Sequence, residues 1–121
     1  RLRILAIMDV EHFRQFCLSL PGSSEGFPFG GDTLVFKVGN KMFTACDIDG
    51  FESFNLKALP ETVIELQERY NCIHPGYHMN KKHWNTVKIN QDVDDTHLLK
   101  MVDDSYNLIF ASLPKKVKES S

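Results

Sequence analysis

No apolar run in the chain approaches the ~18–20 residues that a membrane-spanning helix needs, which excludes an integral helical membrane protein. Cysteine is scarce, three residues in 121. An odd number argues against a secreted disulfide scaffold and suits a reducing cytoplasm, the expected location. Positive charge is not in excess either: 14 Lys and Arg against 16 Asp and Glu give a net charge of −2. The protein is therefore not a nucleic-acid binder that is basic throughout, and any such activity must come from a local patch. Missing too are a glycine-rich phosphate loop of the usual spacing, a G-x-S-x-G elbow and an H-E-x-x-H pair, so the chain reads as non-catalytic. The sequence does not start with methionine. Residues 1–7 (RLRILAI) are too few for a signal peptide and read as an upstream or vector-derived extension before Met8.

What remains has the composition of one soluble domain, with 42% hydrophobic and 25% charged residues, enough to build a core without metal or disulfide staples. Asp9 can cap a helix whose apolar positions are Val10, Phe13, Phe16, Cys17 and Leu20, stopped by Pro21-Gly22. SSEGFPFGGD reads as a loop. Segment 33–38 (TLVFKV) is a strand, Gly39-Asn40 a two-residue hairpin turn, and 41–45 (KMFTA) the return strand. After a turn at 47–50, 52–56 (ESFNL) adds a third. Pro60 opens a second helix with Val63, Ile64, Leu66 and Tyr70 on its stripe. Residues 74–84 read as irregular and 85–90 (NTVKIN) as a half-buried strand. Asp94 or Asp95 begins a long helix on which Leu98, Leu99, Val102, Tyr106, Ile109, Phe110 and Leu113 recur at helical spacing; the tail beyond Pro114 reads as frayed. Blocks of strands between helices predict an α+β fold, an antiparallel sheet with helices on one face, in one domain over residues 8–118.

Three segments then carry a resemblance: Pro28-Phe29-Gly30, the string His78-Met79-Asn80-Lys81-Lys82-His83-Trp84, and Ser105-Tyr106, together with the Leu20-Pro21-Gly22 stop. With them the chain resembles the MmcQ/YjbR family of small bacterial proteins along nearly its whole length. The resemblance implies an α-β(3)-α-β(2)-α fold of secretion-chaperone-like architecture. It also implies DNA binding through a "double-wing" arrangement of loops and hairpins.

Charge patterning gives that expectation its candidate residues. Between Arg69 and Asn90 lie four basic residues and no acidic ones, followed by five aspartates against Lys100 alone up to Asp104. Lys81, Lys82 and Lys88, with Lys41 and Lys37 flanking the hairpin tip, would contact phosphates, and Asn80 would fix register. Pro28, Phe29, Gly30, His78, Trp84, Ser105 and Tyr106 would hold the site in shape. Phe27 and Phe29 are expected to clasp their loop to the sheet, Trp84 to enter the core, and Ser105 to bond back one turn. Tyr106 is expected to reach the 78–84 segment. The spacing of Cys72, His74, His78 and His83 matches no standard zinc pattern, so neither metal nor cofactor is expected. The runner-up readings are a protein-interaction or chaperone-like module, pairing with a partner or as a homodimer, and a small-ligand domain.

Overall fold

The computed structural model describes residues 8–119, so the reading of residues 1–7 lies outside the described residues. The element order is α1 (Val10–Ser19), β1 (Ser23–Gly26), β2 (Thr33–Val38), β3 (Lys41–Asp47), β4 (Ser53–Lys57), α2 (Pro60–Arg69), β5 (Ile73–Pro75), β6 (Trp84–Lys88), α3 (Asp95–Ala111) and α4 (Lys115–Glu119). The α+β expectation holds, with β5 and β6 as the implied β(2) pair and with β1 and α4 as additions. β1 lies where a loop is expected because an edge strand bonded on one side needs no apolar alternation. β5 is three residues long, too short to show a period. The tail forms α4 on the far side of Pro114.

Local chemistry sets the element ends. Asp9 and Asp94 each accept a backbone N–H from three residues on, His12 and His97, both at 2.8 Å. Pro60 supplies the first turn of α2, whose N-cap Leu59 makes no side-chain bond. Gly39 and Asn40 both have positive φ, 56° and 67°, as a type I′ hairpin turn requires.

All strands pair antiparallel in the order β1-β2-β3-β4-β6-β5. One face is covered by helices. Leu34, Phe36, Val38, Phe43, Cys46, Phe54, Leu56 and Val87 point into that layer and join Phe13, Cys17, Leu98, Val102, Tyr106 and Ile109 in one core. Rings lock it: Phe13 tilts on Phe54 at 4.7 Å, and Phe43 meets the edge of Tyr106 at 5.3 Å. A bulge after Phe36 leaves Phe43 unpaired and turns it into the helix-side layer.

Ser105 and Tyr106 correct two expectations. The Ser105 hydroxyl does not bond back along its helix. It donates to the Phe43 carbonyl (2.6 Å) and accepts from the Lys57 N–H (3.0 Å), pinning α3 to β3 and β4. The Tyr106 hydroxyl donates to the Pro21 carbonyl and does not reach segment 78–84, which lies across the sheet from α3. At the far edge, the Asp92 carboxylate accepts the N–H groups of Asn71 (2.8 Å) and Cys72 (2.9 Å). The Cys72 thiol and these amides hold the Asp92 carboxyl below its ordinary range.

Candidate binding face

The alternate residues of each strand form a second face that none of the helices among the described residues covers. By register, Val35 sits beside Ala45 and Ala45 beside Asn55, which sits beside Thr86; Lys37 sits beside Met42, and Ser53 beside Lys88. Two loops rise around this surface. Loop 27–32 leaves β1 and returns to β2. Loop 76–83 leaves β5 and folds back over β6. Between them lies a cavity of about 560 Å³, floored by Thr33, Met42, Ala45, Asp47, Ser53, Asn55 and Thr86 and walled by Phe29, Tyr77, His78 and Met79. That volume falls within the ~300–1,000 Å³ of ordinary ligand sites.

The first loop is a lip, not the clasp expected of it. Gly30 N–H closes a turn onto the Phe27 carbonyl (3.0 Å), and Gly30 and Gly31 both take positive φ. The turn leaves Phe29 72% exposed, so it does not clasp the loop to the sheet, and Phe27 is 47% exposed. Of the two rings, Phe29 stands at the cavity mouth.

The second loop is built by its own polar groups. Asn80 uses its carbonyl to accept the N–H groups of His83 (3.2 Å) and Trp84 (3.0 Å), and its side chain to accept that of Lys82 (2.9 Å). Lys81 Nζ donates to the Gly76 carbonyl at 2.7 Å. Gly76 N–H bonds the Trp84 carbonyl (3.1 Å), and a Cβ at Gly76 would lie 3.0 Å from that of Trp84. Trp84 is accordingly half-buried as the loop's backstop on the uncovered side, opposite Lys57, and does not enter the core between sheet and helices. His78 is forced into the left-handed region, φ 58°, at the cavity wall, and Tyr77 stands 48% exposed beside it. Such backbone strain, of order 1 kcal/mol or more, persists only where the surroundings impose it.

The six contact residues expected from sequence are therefore divided. Lys82 is exposed and Lys88 half-buried, and neither forms an ion pair among the described residues; Lys88 lies on the uncovered face beside Ser53. Lys37, on the same face beside Met42, joins them. Asn80 and Lys81 are engaged in folding the loop. Lys41 pairs with Val38, a core residue, and so projects on the helix side. Of the two lysines flanking the hairpin tip, only Lys37 shares a face with Lys88. Asn55, Met42 and Asp47 were missed by sequence reasoning; the signal was the alternation in β4, where Ser53 and Asn55 are polar between buried Phe54 and Leu56.

No Lys or Arg is among the residues lining the cavity, and no group of three or more His, Cys, Asp and Glu is placed to hold a metal among the described residues. Burial pushes the thiols of Cys46 and Cys72 up to about 12 and that of Cys17 higher still, so all three stay protonated at neutral pH.

Comparison with known proteins places this architecture. The YjbR family model matches residues 18–108, three-quarters of the chain. The chain belongs to the YjbR family. It is 36% identical to YbdF of Escherichia coli O157:H7 over 107 residues, 88% of each chain. It is 25% identical to YjbR of E. coli K12 over 113 residues, 93% of this chain and 96% of the relative. The fold superposes with a TM-score of 0.86 on a Deinococcus radiodurans protein of the DUF419 domain, 36% identical, covering 95% of this chain and 88% of the other. A Pseudomonas syringae protein follows with a TM-score of 0.72 at 25% identity, covering 84% and 99%. Within the YjbR family, then, this chain presents an uncovered sheet face with two aromatic lips. Among the described residues no helix is long and apolar enough to cross a membrane.

Proposed function

We propose that the protein is a non-catalytic binding domain that takes single-stranded DNA on the uncovered face of its sheet. The observation that carries this reading is the pairing of a cavity without Lys or Arg in its lining, edged by the exposed rings of Phe29 and Tyr77, with strand lysines beside it, Lys37 and Lys88, that form no ion pair among the described residues. Unpaired bases stack on aromatic rings, and phosphates seek the surrounding ammonium groups. In a duplex the base faces are already stacked, so the rings at this mouth favour single strands. Lys37, Lys82 and Lys88 are the phosphate contacts. Three such contacts give a slope of log K against log salt of about −2 for a single strand.

The cavity volume also supports a free small ligand as the second reading. Strand addition is supported less well. β1 is four residues long and ends in Gly26, and β5 is three residues long and ends in Pro75, which has no N–H to offer; such short edges discourage pairing.

The test is fluorescence anisotropy of labelled single-stranded and duplex oligonucleotides across a salt series. Tighter binding of the single strand, weakening with the shallow slope above, is expected. No binding at low salt, or equal binding of the duplex, overturns the reading.

A further inference from the structure

Of the polar groups on the cavity floor, one is fixed in orientation by its neighbours. The Tyr77 N–H donates to Thr86 Oγ1 at 2.9 Å, and that hydroxyl donates its single proton to Asn55 Oδ1 at 2.6 Å. Thr86 is buried, and this is the acceptor its proton has among the described residues. Turning the Asn55 amide over would bring its NH₂ to a hydroxyl whose proton then has no acceptor, which is costly in a buried site. Asn55 therefore presents Nδ2, a pure donor, to the cavity. Its Oδ1 already accepts the Thr86 proton, so the group turned to the cavity is the donor.

Asp47 stands on the same face, two residues beyond Ala45, the partner of Asn55. One of its oxygens accepts the Asp49 N–H at 3.1 Å; the carboxylate keeps acceptor capacity toward the cavity it lines. The diagonal between positions 55 and 47 is about 7–8 Å. The floor thus offers a donor at one point and an anionic acceptor at the other, with the hydroxyls of Thr33 and Ser53 beside them. The ring that matches carries a carbonyl next to adjacent N–H groups. Thymine presents a single N–H flanked by carbonyls that Asp47 would repel. Adenine and cytosine each set one amino group beside an acceptor, whereas guanine sets two adjacent N–H groups beside its carbonyl and so can give the carboxylate two bonds.

Resting on the single-strand reading above, we propose that this cavity recognises guanine, Asn55 donating to the ring carbonyl and Asp47 accepting from the ring and exocyclic N–H groups. Asn55 is the specificity residue, and Thr86 with the Tyr77 amide positions it.

The experiment compares thymidine oligonucleotides carrying one central dG, dA or dT, and guanosine monophosphate alone, against the wild type, Asn55→Asp and Thr86→Val. Thermal melting of each variant confirms folding. Central dG is expected to bind about tenfold tighter than dA or dT. Asn55→Asp, which replaces the donor by an acceptor of the same shape, removes that preference, read as the ratio of dG to dA and dT affinities within the variant. If Thr86→Val fails to fold, Asn55→Asp alone decides. Equal affinity for all oligonucleotides overturns guanine recognition and leaves single-strand binding standing. Failure of every oligonucleotide with retention of the monophosphate supports the guanine site and overturns the single-strand reading. Failure of all four ligands overturns both.

Discussion

At the scale of the residue, this protein uses side-chain hydrogen bonds to join elements that packing alone leaves free to slide. Ser105 is fully buried, and its one hydroxyl serves a carbonyl on β3 and an amide on β4. Ser105→Ala leaves both backbone groups buried and unpaired, and should lower stability by about 2–3 kcal/mol in denaturant unfolding. Tyr106→Phe removes one bond, to the Pro21 carbonyl, and should cost about 1 kcal/mol. A Ser105→Ala loss no larger than that of Tyr106→Phe would mean the bridge is unimportant. These roles were not legible in the sequence. Apolar periodicity places Tyr106 on the buried stripe, but it says nothing about which carbonyl its hydroxyl meets. Asn80 and Lys81 illustrate the same limit. Their residue types suit phosphate contact, yet in loop 76–83 both, though exposed, spend hydrogen bonds on the loop's own backbone.

At the scale of the element, the strong signals were the helical stripes, the caps at Asp9 and Asp94 and the Gly39-Asn40 turn, because each follows from chemistry within a few residues. β1 was not legible, and β5 was implied by the family resemblance but not by its own residues. Their pairing is decided by neighbours distant in sequence, and neither is long enough to show alternation. The hairpin turn also does more than reverse the chain. A Cβ on Gly39 would lie 2.5 Å from Leu113 Cδ1, so the segment leading to α4 docks against bare backbone. Gly39→Ala should cost about 2 kcal/mol or more, combining left-handed strain with that clash. Gly30→Ala, at φ 74° with nothing within 4 Å, should show the strain alone, about 1 kcal/mol. Truncating Leu113 should recover part of the Gly39→Ala loss and none of the Gly30→Ala loss. Equal losses at the two glycines would rule out the docking.

At the scale of the whole molecule, the sequence predicted an antiparallel sheet with helices on one side, and the fold has that form. Strand alternation reveals two faces, but it does not say which lysines end up together. That depends on the bulge beside Phe43 and on the register of the hairpin, which carry Lys41 to the helix side and leave Lys37 with Lys88 on the other. The cavity was invisible for a related reason. Its floor comes from β2, β3, β4 and β6 and its walls from two loops about 50 residues apart in sequence. Only the folded chain assembles them.

This separation of lysines gives the most direct measurement: the affinity of a single-stranded oligonucleotide at low salt for Lys37→Glu and Lys41→Glu, each a change of two charges in the same hairpin. Binding through the uncovered face predicts that Lys37→Glu weakens it severalfold or more while Lys41→Glu leaves it near the wild-type value. Equal weakening by both, or a larger loss at Lys41, would contradict it.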